Sequence, residues 1–147
     1  MKNKLHQKGF SLIEVLLTLV LFTILVGISS GVYYGLILKN DLAVAANQVA
    51  QCLNRAGFLS QASGGDSTWG VHVQSGSVTI FKGTFYSGGD ANNETYSMSS
   101  SIVSSGLSDI VFDKATGLPQ SNGSIILTAK NGDQKTISIN SAGTINY

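Results

Sequence analysis

Charge is what this sequence has least of. Only 12% of its residues are Asp, Glu, Lys or Arg, which is about half the share found in ordinary soluble domains. The shortage is concentrated in one place, because Glu14 is the sole charged residue between Phe10 and Leu38. From Asn40 onward, acidic residues outnumber basic ones. A basic patch of the kind that binds nucleic acid is therefore not expected in this second part of the chain.

Cysteine and proline are nearly absent. Cys52 is the only cysteine, so an intrachain disulfide is excluded and the folded part must be held together by packing. Cys52 falls among small apolar residues of a predicted helix, and we interpret it as a small buried hydrophobe. Pro119, the only proline, lies in the turn-like stretch "TGLPQSNG".

The motifs of common catalytic sites are also missing. The sequence has no Gly-x-Ser-x-Gly elbow, no His-Glu-x-x-His and no paired-cysteine metal motif. We interpret His72 as an outward-facing strand residue. Asp90, Asn92 and Glu94 place oxygens at alternate positions, but the rest of the EF-hand pattern is absent. We therefore expect no enzyme activity, cofactor or metal. The nearby aromatic residues are predicted to belong to the core or a strand face: Trp69, Phe81, Phe85 and Tyr86.

The first feature that is present is a long apolar run. Residues 10–38 exceed the roughly 20 residues that a membrane-spanning helix needs, and a segment in lipid satisfies its backbone groups best as a helix. Lys2, Lys4 and Lys8 precede the run. By the positive-inside rule these lysines remain in the cytoplasm. The sequence thus predicts a single membrane span over 10–38, with the chain after residue 38 extracytoplasmic.

The helix is predicted to continue beyond this run, to residue 62. Apolar residues recur there every third or fourth position, as on one face of an amphipathic helix: Leu42, Ala46, Val49, Leu53 and Ala56. The pattern stops at the loop-like "SGGDS" of residues 63–67. Within the apolar run, Gly27, Gly31 and Gly35 lie four apart, and small residues at that spacing let helices approach closely in a membrane.

Residues 63–147 change to a period of two, which is typical of strands. "WGVHVQ" and "SVTIFK" are joined by Ser75-Gly76, and "GSIILTAKNGDQKTISIN" reads as two strands across Asn131-Gly132, a strong hairpin signal. "ETYSM", "DIVFD" and "GTINY" are further strand candidates. We predict an α+β fold, in which a long N-terminal helix packs its amphipathic second half against a small antiparallel β-sheet or sandwich.

Glu14 separates the interpretations of the N-terminal segment. A secretory signal peptide has a shorter apolar region and ends at a small-residue cleavage site, so it fits poorly. A plain single-pass anchor fits the length, but a carboxylate inside an apolar run is unfavourable unless it reaches the water at the headgroups. Neither interpretation gives Glu14 a purpose.

A third interpretation is a resemblance. The stretch "KGFSLIEVLLTLVLFTILVGI" resembles the N-terminus of type IV prepilins and type II secretion pseudopilins. In that family a prepilin peptidase cuts after the glycine and the new first residue is N-methylated. The resemblance implies a leader at 1–9, cleavage between Gly9 and Phe10, methylation of Phe10, and an assembly contact of Glu14 with the N-terminal amine of a neighbouring subunit.

The resemblance also implies a function and partners. The chain would be a structural subunit of a type II secretion pseudopilus or a type IV pilus. Its partners would be other pilin or pseudopilin subunits, the prepilin peptidase and methylase, and an inner-membrane assembly platform. It would first reside in the inner membrane with its β-domain in the periplasm, and then in the filament. No nucleic acid is expected as a partner.

The outer domain carries a narrower resemblance, to H-type minor pseudopilins of type II secretion systems. It rests on "F-x-x-x-T-G" at 112–117 and "I-x-I-N-x-x-G-x-I" at 137–145, and it implies a place in the tip or initiation complex. A minor pilin of a type IV pilus or competence system and a major subunit stay open. An alternative from another class is a membrane-anchored β-domain that acts as a binding module, as in an adhesin or a DNA-uptake minor pilin.

Overall fold

The computed structural model describes residues 9–147, without the side chains of 28–32 and of Gly64. The predicted leader lies outside the described residues except for Gly9, and so does the side-chain environment of Gly31. The chain divides into two compact units, one ending at Leu36 and the other beginning at Ile37. Each unit is described by itself below.

One helix, α1, runs from Leu12–Gln61 and contains 50 residues. The long N-terminal helix predicted over 10–62 is therefore present, and it begins two residues later than expected. Among the residues whose side chains are described, no helix combines the length and the apolar character that a membrane span requires.

The first unit exposes apolar side chains on every side of the helix. Leu12, Leu17 and Phe22 are each about two-thirds exposed or more, at 81%, 66% and 69%. The two threonines in this part bond to the backbone of the preceding turn: the Thr18 hydroxyl donates to a carbonyl three residues earlier at 2.9 Å, and the Thr23 hydroxyl does the same at 2.7 Å. Such bonds satisfy hydroxyl donors without water.

In the second unit, α1 buries one face. The predicted apolar positions are all buried, and the additional buried residues on this face are mostly small. Small side chains let the helix backbone lie close to the strands that cover it, because little volume separates them. The buried helical residues are Leu38, Leu42, Ala45, Ala46, Val49, Ala50, Cys52, Leu53, Ala56 and Ser60.

Eight strands follow a short 3-10 turn at Gly64–Asp66. They are β1 Trp69–Gln74, β2 Ser77–Lys82, β3 Glu94–Ser97, β4 Ile102–Gly106, β5 Asp109–Phe112, β6 Gly123–Ala129, β7 Gln134–Ile139 and β8 Ile145–Asn146. Sheet A has the order β3-β2-β1-β5 and sheet B the order β4-β6-β7-β8, with antiparallel pairing throughout. The predicted α+β fold with a small antiparallel β-domain is confirmed.

The two predicted hairpins are present. Ser75-Gly76 joins β1 to β2 with Gln74 opposite Ser77, and Gly76 has the positive φ of 90° that glycine adopts easily. Asn131-Gly132 lies in the turn between β6 and β7. The turn residues therefore set the register of both hairpins, as their sequence indicated.

Strand β4 has no clear signal in the sequence. Its "IVSSG" contains a single buried side chain, Ile102, and ends in glycine. It pairs with β6 over five residues, from Ile102 opposite Ala129 to Gly106 opposite Ile125. The partner strand, rather than local propensity, places this segment in a sheet.

Both sheets contribute to the same hydrophobic core as the second part of α1. Alternate strand residues point into it, as the period of two requires. Sheet A contributes Val71, Val73, Val78, Ile80, Ile110 and Phe112, and sheet B contributes Ile102, Ile125, Leu127, Ala129, Ile137 and Ile139. The other face of sheet A, which carries His72 and Phe81, is called the outer face below.

Candidate functional site

The residues predicted for processing precede the helix. Gly9 and Phe10 have no regular secondary structure, and both are exposed, Phe10 by 83%. A Cβ atom added to Gly9 would meet nothing within 4 Å. The peptide bond between Gly9 and Phe10 is thus reachable from solvent in the described structure, and the glycine is not needed for packing.

Glu14 has a role within its own chain that was not predicted. The Ser11 backbone N–H donates to Glu14 Oε2, the Glu14 backbone N–H donates to Ser11 Oγ, and both distances are 3.4 Å. These reciprocal bonds form a capping box at the start of α1. Its sequence signature, Ser-x-x-Glu before an apolar run, is visible in "SLIE". The bonds are near the upper limit of hydrogen-bond length, so the carboxylate is only weakly held.

The motif "F-x-x-x-T-G" closes a loop against α1. Phe112 is buried, and its ring lies 3.6 Å from the position that a Cβ atom on Gly57 would take. Gly117 has a φ of 67°, and a Cβ added there would lie 2.8 Å from the Gly57 carbonyl oxygen. Ala115 N–H donates to the Ser60 carbonyl oxygen at 2.9 Å. Two glycines therefore allow the helix and the loop to approach each other.

The closing motif "I-x-I-N-x-x-G-x-I" is the turn between β7 and β8. The Asn140 side-chain oxygen accepts hydrogen bonds from the backbone N–H groups of Ala142 at 3.0 Å and Thr144 at 2.8 Å. Gly143 supplies a φ of 78°. Both segments that suggested an H-type pseudopilin are thus turns with a defined structural role.

A polar cluster joins α1 to the edge strand β3. Arg55 donates to Glu94 at 2.8 Å and to the Tyr96 hydroxyl at 3.2 Å, and that hydroxyl donates to Glu94 at 3.1 Å. The hydrogen bond to Glu94 raises the pKa of Tyr96 above its usual value, and burial adds a smaller increase. Burial raises the pKa of the neighbouring Cys52 thiol to about 11. Cys52 is therefore a poor nucleophile, as its interpretation as a buried hydrophobe requires.

Near the outer face of sheet A, Phe85 and Tyr86 differ from expectation, because both lie in the loop between β2 and β3 and not on a strand. His72 is on a strand face as predicted, but its Nδ1 lies 2.8 Å from Asp109 Oδ1 and its ring stacks on Tyr86 with 3.9 Å between ring centres. Phe81 is buried as expected. Phe85 belongs neither to the core nor to a strand, because it is 85% exposed in the loop between β2 and β3.

The loop around Asp90, whose oxygen spacing partly resembles a calcium-binding loop, is closed by its own hydrogen bonds. Asp90 Oδ1 accepts bonds from the backbone and side-chain N–H groups of Asn92, both at 2.8 Å. The bond from the Asn92 backbone, more than any other contact, holds the pKa of Asp90 below its usual value. The described residues contain no cluster of three or more metal-ligating side chains.

Comparisons with known proteins give one match to the N-terminal segment and one to the fold. Residues 4–30 match the prokaryotic N-terminal methylation motif. The fold is similar to that of the minor pseudopilin EpsH from the type 2 secretion system of Vibrio cholerae, with a TM-score of 0.51 and 11% sequence identity over 72% of this chain and 94% of that one. No curated protein sequence matches the chain significantly. The resemblance predicted from the sequence is confirmed in the N-terminal motif and in the fold.

Proposed function

We propose that this chain is a structural subunit of a pilin-type filament. In this proposal residues 10–38 anchor it in the inner membrane, residues 1–9 are removed by a prepilin peptidase, and the amine of Phe10 is then methylated. The observation that carries the proposal is the methylation motif at 4–30. The motif coincides with an apolar run whose single charge is Glu14.

The exposed apolar helix of the first unit supports the proposal. Side chains such as Leu16, Leu19 and Ile24 are exposed by 54%, 60% and 56%. Apolar surface on this scale is unfavourable in water and needs lipid or neighbouring helices around it. In a filament the helices of other subunits would supply those contacts, so that each helix exchanges lipid for protein during assembly.

Glu14 would then pair with the N-terminal amine of a neighbouring subunit. A carboxylate in apolar surroundings is strongly stabilised by an opposite charge and strongly destabilised without one. A wrong stagger between helices leaves Glu14 unpaired, so the same contact would select the register. The long bonds of the capping box support this role, since they leave the carboxylate available to a stronger partner.

The first test is the N-terminus of the mature protein. Intact mass and N-terminal sequencing of protein from its native membranes should show a chain that begins at methylated Phe10. A matched pair of variants tests whether cleavage requires Gly9. Gly9→Val should abolish cleavage, whereas Gly89→Val, at another exposed glycine with no close contacts, should leave cleavage unchanged. A chain that keeps Met1 in a host with active peptidase would refute the proposal and favour a membrane-tethered binding module.

The second test addresses assembly. Glu14→Ala should be inserted and cleaved normally but should be depleted from sheared filaments. Glu94→Gln, which changes the only other glutamate of the chain, serves as the control and should be incorporated. Equal incorporation of both variants would remove Glu14 from the assembly mechanism.

The finer proposal is a minor pseudopilin of a type II secretion system, at the tip or in the initiation complex. The similarity to the fold of EpsH supports it. Quantitative mass spectrometry of filaments should find few copies of this chain relative to the major subunit. A chain that makes up most of the filament mass would instead be the major subunit.

A further inference from the structure

The outer face of sheet A carries a group of aromatic side chains whose rings contact one another. Phe81 lies across Gly70, where a Cβ atom would be 2.4 Å from the tip of its ring. The Tyr86 ring meets Phe81 edge-on, with 5.8 Å between ring centres, and stacks on His72 with the planes 4° from parallel. These contacts hold the loop between β2 and β3 against the strands.

A cavity opens beside this group. It has a volume of about 350 Å³ and is lined by Phe81, Thr84, Phe85, Tyr86 and Asp109. Its size falls within the range of small-molecule and side-chain binding sites. The Phe85 ring stands at its edge and is 85% exposed. The ring is therefore open to contact from outside the chain.

Asp109 gives the cavity a negative charge. Its Oδ1 accepts a hydrogen bond from His72 and its Oδ2 accepts one from the Ser108 hydroxyl, both at 2.8 Å. A carboxylate offers about four acceptor positions, so acceptor capacity remains on each oxygen. Within the described part of the chain, no lysine or arginine forms a salt bridge with Asp109. The Asp109 side chain is 46% exposed.

We propose that this cavity binds an arginine side chain of a partner protein. A guanidinium group can lie flat against an aromatic ring while its N–H groups bond to a carboxylate, and the cavity presents both. A neutral ligand such as a sugar could stack on the ring, but it would gain no ion-pair attraction from Asp109. The bonds from His72 and Ser108 fix the carboxylate in advance, which reduces the entropy lost on binding.

The proposal goes beyond the filament role and does not depend on it. Every residue that forms the cavity belongs to the second unit. Cleavage at Gly9 and pairing of Glu14 concern the first unit alone. Loss of arginine binding would therefore leave processing and incorporation of the chain unchanged, and failure of processing would leave arginine binding unchanged.

The test is a ligand titration of the full chain in detergent micelles, followed by amide NMR. The probe is N-acetyl-arginine methylamide, and its neutral counterpart is N-acetyl-citrulline methylamide, which has nearly the same shape. We expect saturable shifts at Thr84, Phe85, Tyr86 and Asp109 with the arginine probe. We expect no saturable shifts with the citrulline probe, because it lacks the charge.

Two variants test whether Phe85 and Asp109 contribute to binding of the arginine probe. Phe85→Ala should weaken binding of the probe about two- to fivefold, which is the range of an exposed cation–π contact. Asp109→Asn should weaken it about fivefold, while the new side chain still accepts from His72 and contacts Ser108. Their controls are Phe58→Ala and Asp113→Asn, at an exposed phenylalanine and an exposed aspartate elsewhere in the unit.

Three results would overturn the proposal. One is equal binding of the arginine and citrulline probes. Another is binding that survives both Phe85→Ala and Asp109→Asn. The third is saturable binding of a neutral sugar, with glucose as the probe, at the same residues without binding of arginine.

Discussion

The two parts of α1 differ in composition and are stabilised differently. Before residue 28 nearly all its side chains are apolar and all are exposed. After residue 37 most apolar residues lie on one face, and that face is buried against two sheets. In the first part the order of the chain comes from backbone bonds and the cap at Ser11. In the second part it comes from packing.

This difference implies a separation of effects. Substitutions in the second part should change the stability of the fold, and substitutions in the first part should change the function that we propose. A substitution in the buried part changes the folding of the β-domain, because this face of α1 belongs to the same core as both sheets. A substitution in the exposed part changes what the helix contacts outside its own chain. The predictions below test this separation, from the largest expected effect to the smallest.

Leu53→Ala should cause the largest loss of stability. Leu53 is fully buried in the core, and such a truncation costs about 2–5 kcal/mol of the free energy of unfolding. Denaturant unfolding of the full chain in detergent, followed by Trp69 fluorescence, measures it. Leu19→Ala is the control, since Leu19 is 60% exposed, and it should change the free energy of unfolding by less than about 0.5 kcal/mol. Equal losses would contradict the separation.

Gly117→Ala should be the next most damaging change. It places a side chain at φ 67° and within 2.8 Å of the Gly57 carbonyl oxygen, and the two strains together should cost about 2–3 kcal/mol. Gly132→Ala is the matched control, because Gly132 has a φ of 88° but nothing within 4 Å. The same unfolding assay should show about 1–2 kcal/mol for the control. If the two costs were equal, the close approach of helix and loop would not matter.

Ser11→Ala should act only locally. Loss of the cap costs about 0.5–1 kcal/mol at the start of a helix. Amide hydrogen exchange should become faster at Glu14 and Val15 by about two- to fivefold, without change at Val49 in the buried part. Faster exchange at both places would show that the two parts of α1 unfold together.

Arg55→Ala should have the smallest effect. The side chains of Arg55 and Glu94 are 52% and 37% exposed, and a pair of this kind contributes about 0.2–1 kcal/mol. High salt should reduce the difference between the variant and the unchanged chain. An effect as large as that of Leu53→Ala would show that the polar cluster, not the core, attaches β3 to the helix.

Turn chemistry and periodicity made most of the fold predictable. The spacing of Leu42, Val49 and Leu53 identified the buried face, and the glycines at 76 and 132 identified the two hairpins. Strand β4 could not be predicted, because its pairing with β6 is a long-range interaction that local sequence does not encode. Its single buried residue, Ile102, gives no alternation to detect.

The sites were predictable to different degrees. Gly9, Phe10 and Glu14 stand in the N-terminal motif that is matched over 4–30, and their roles stay predictions. The aromatic cavity has no such motif, since Phe85 and Tyr86 come from the loop between β2 and β3 and Asp109 comes from β5. The sequence predicts Phe85 in the core or on a strand face, because aromatic side chains usually lie there. Only its exposure in the folded chain sets it apart.

The capping box sets how strongly another group must bind the Glu14 carboxylate to displace it from the Ser11 N–H. In the single chain the carboxylate already has one partner, the Ser11 N–H at 3.4 Å. Any group that draws it away must therefore offer more than a second long bond to a neutral amide. A cation meets that requirement at short range, and another backbone N–H does not. The helix start thus keeps the carboxylate in place by a weak contact that a cation at short range would outcompete.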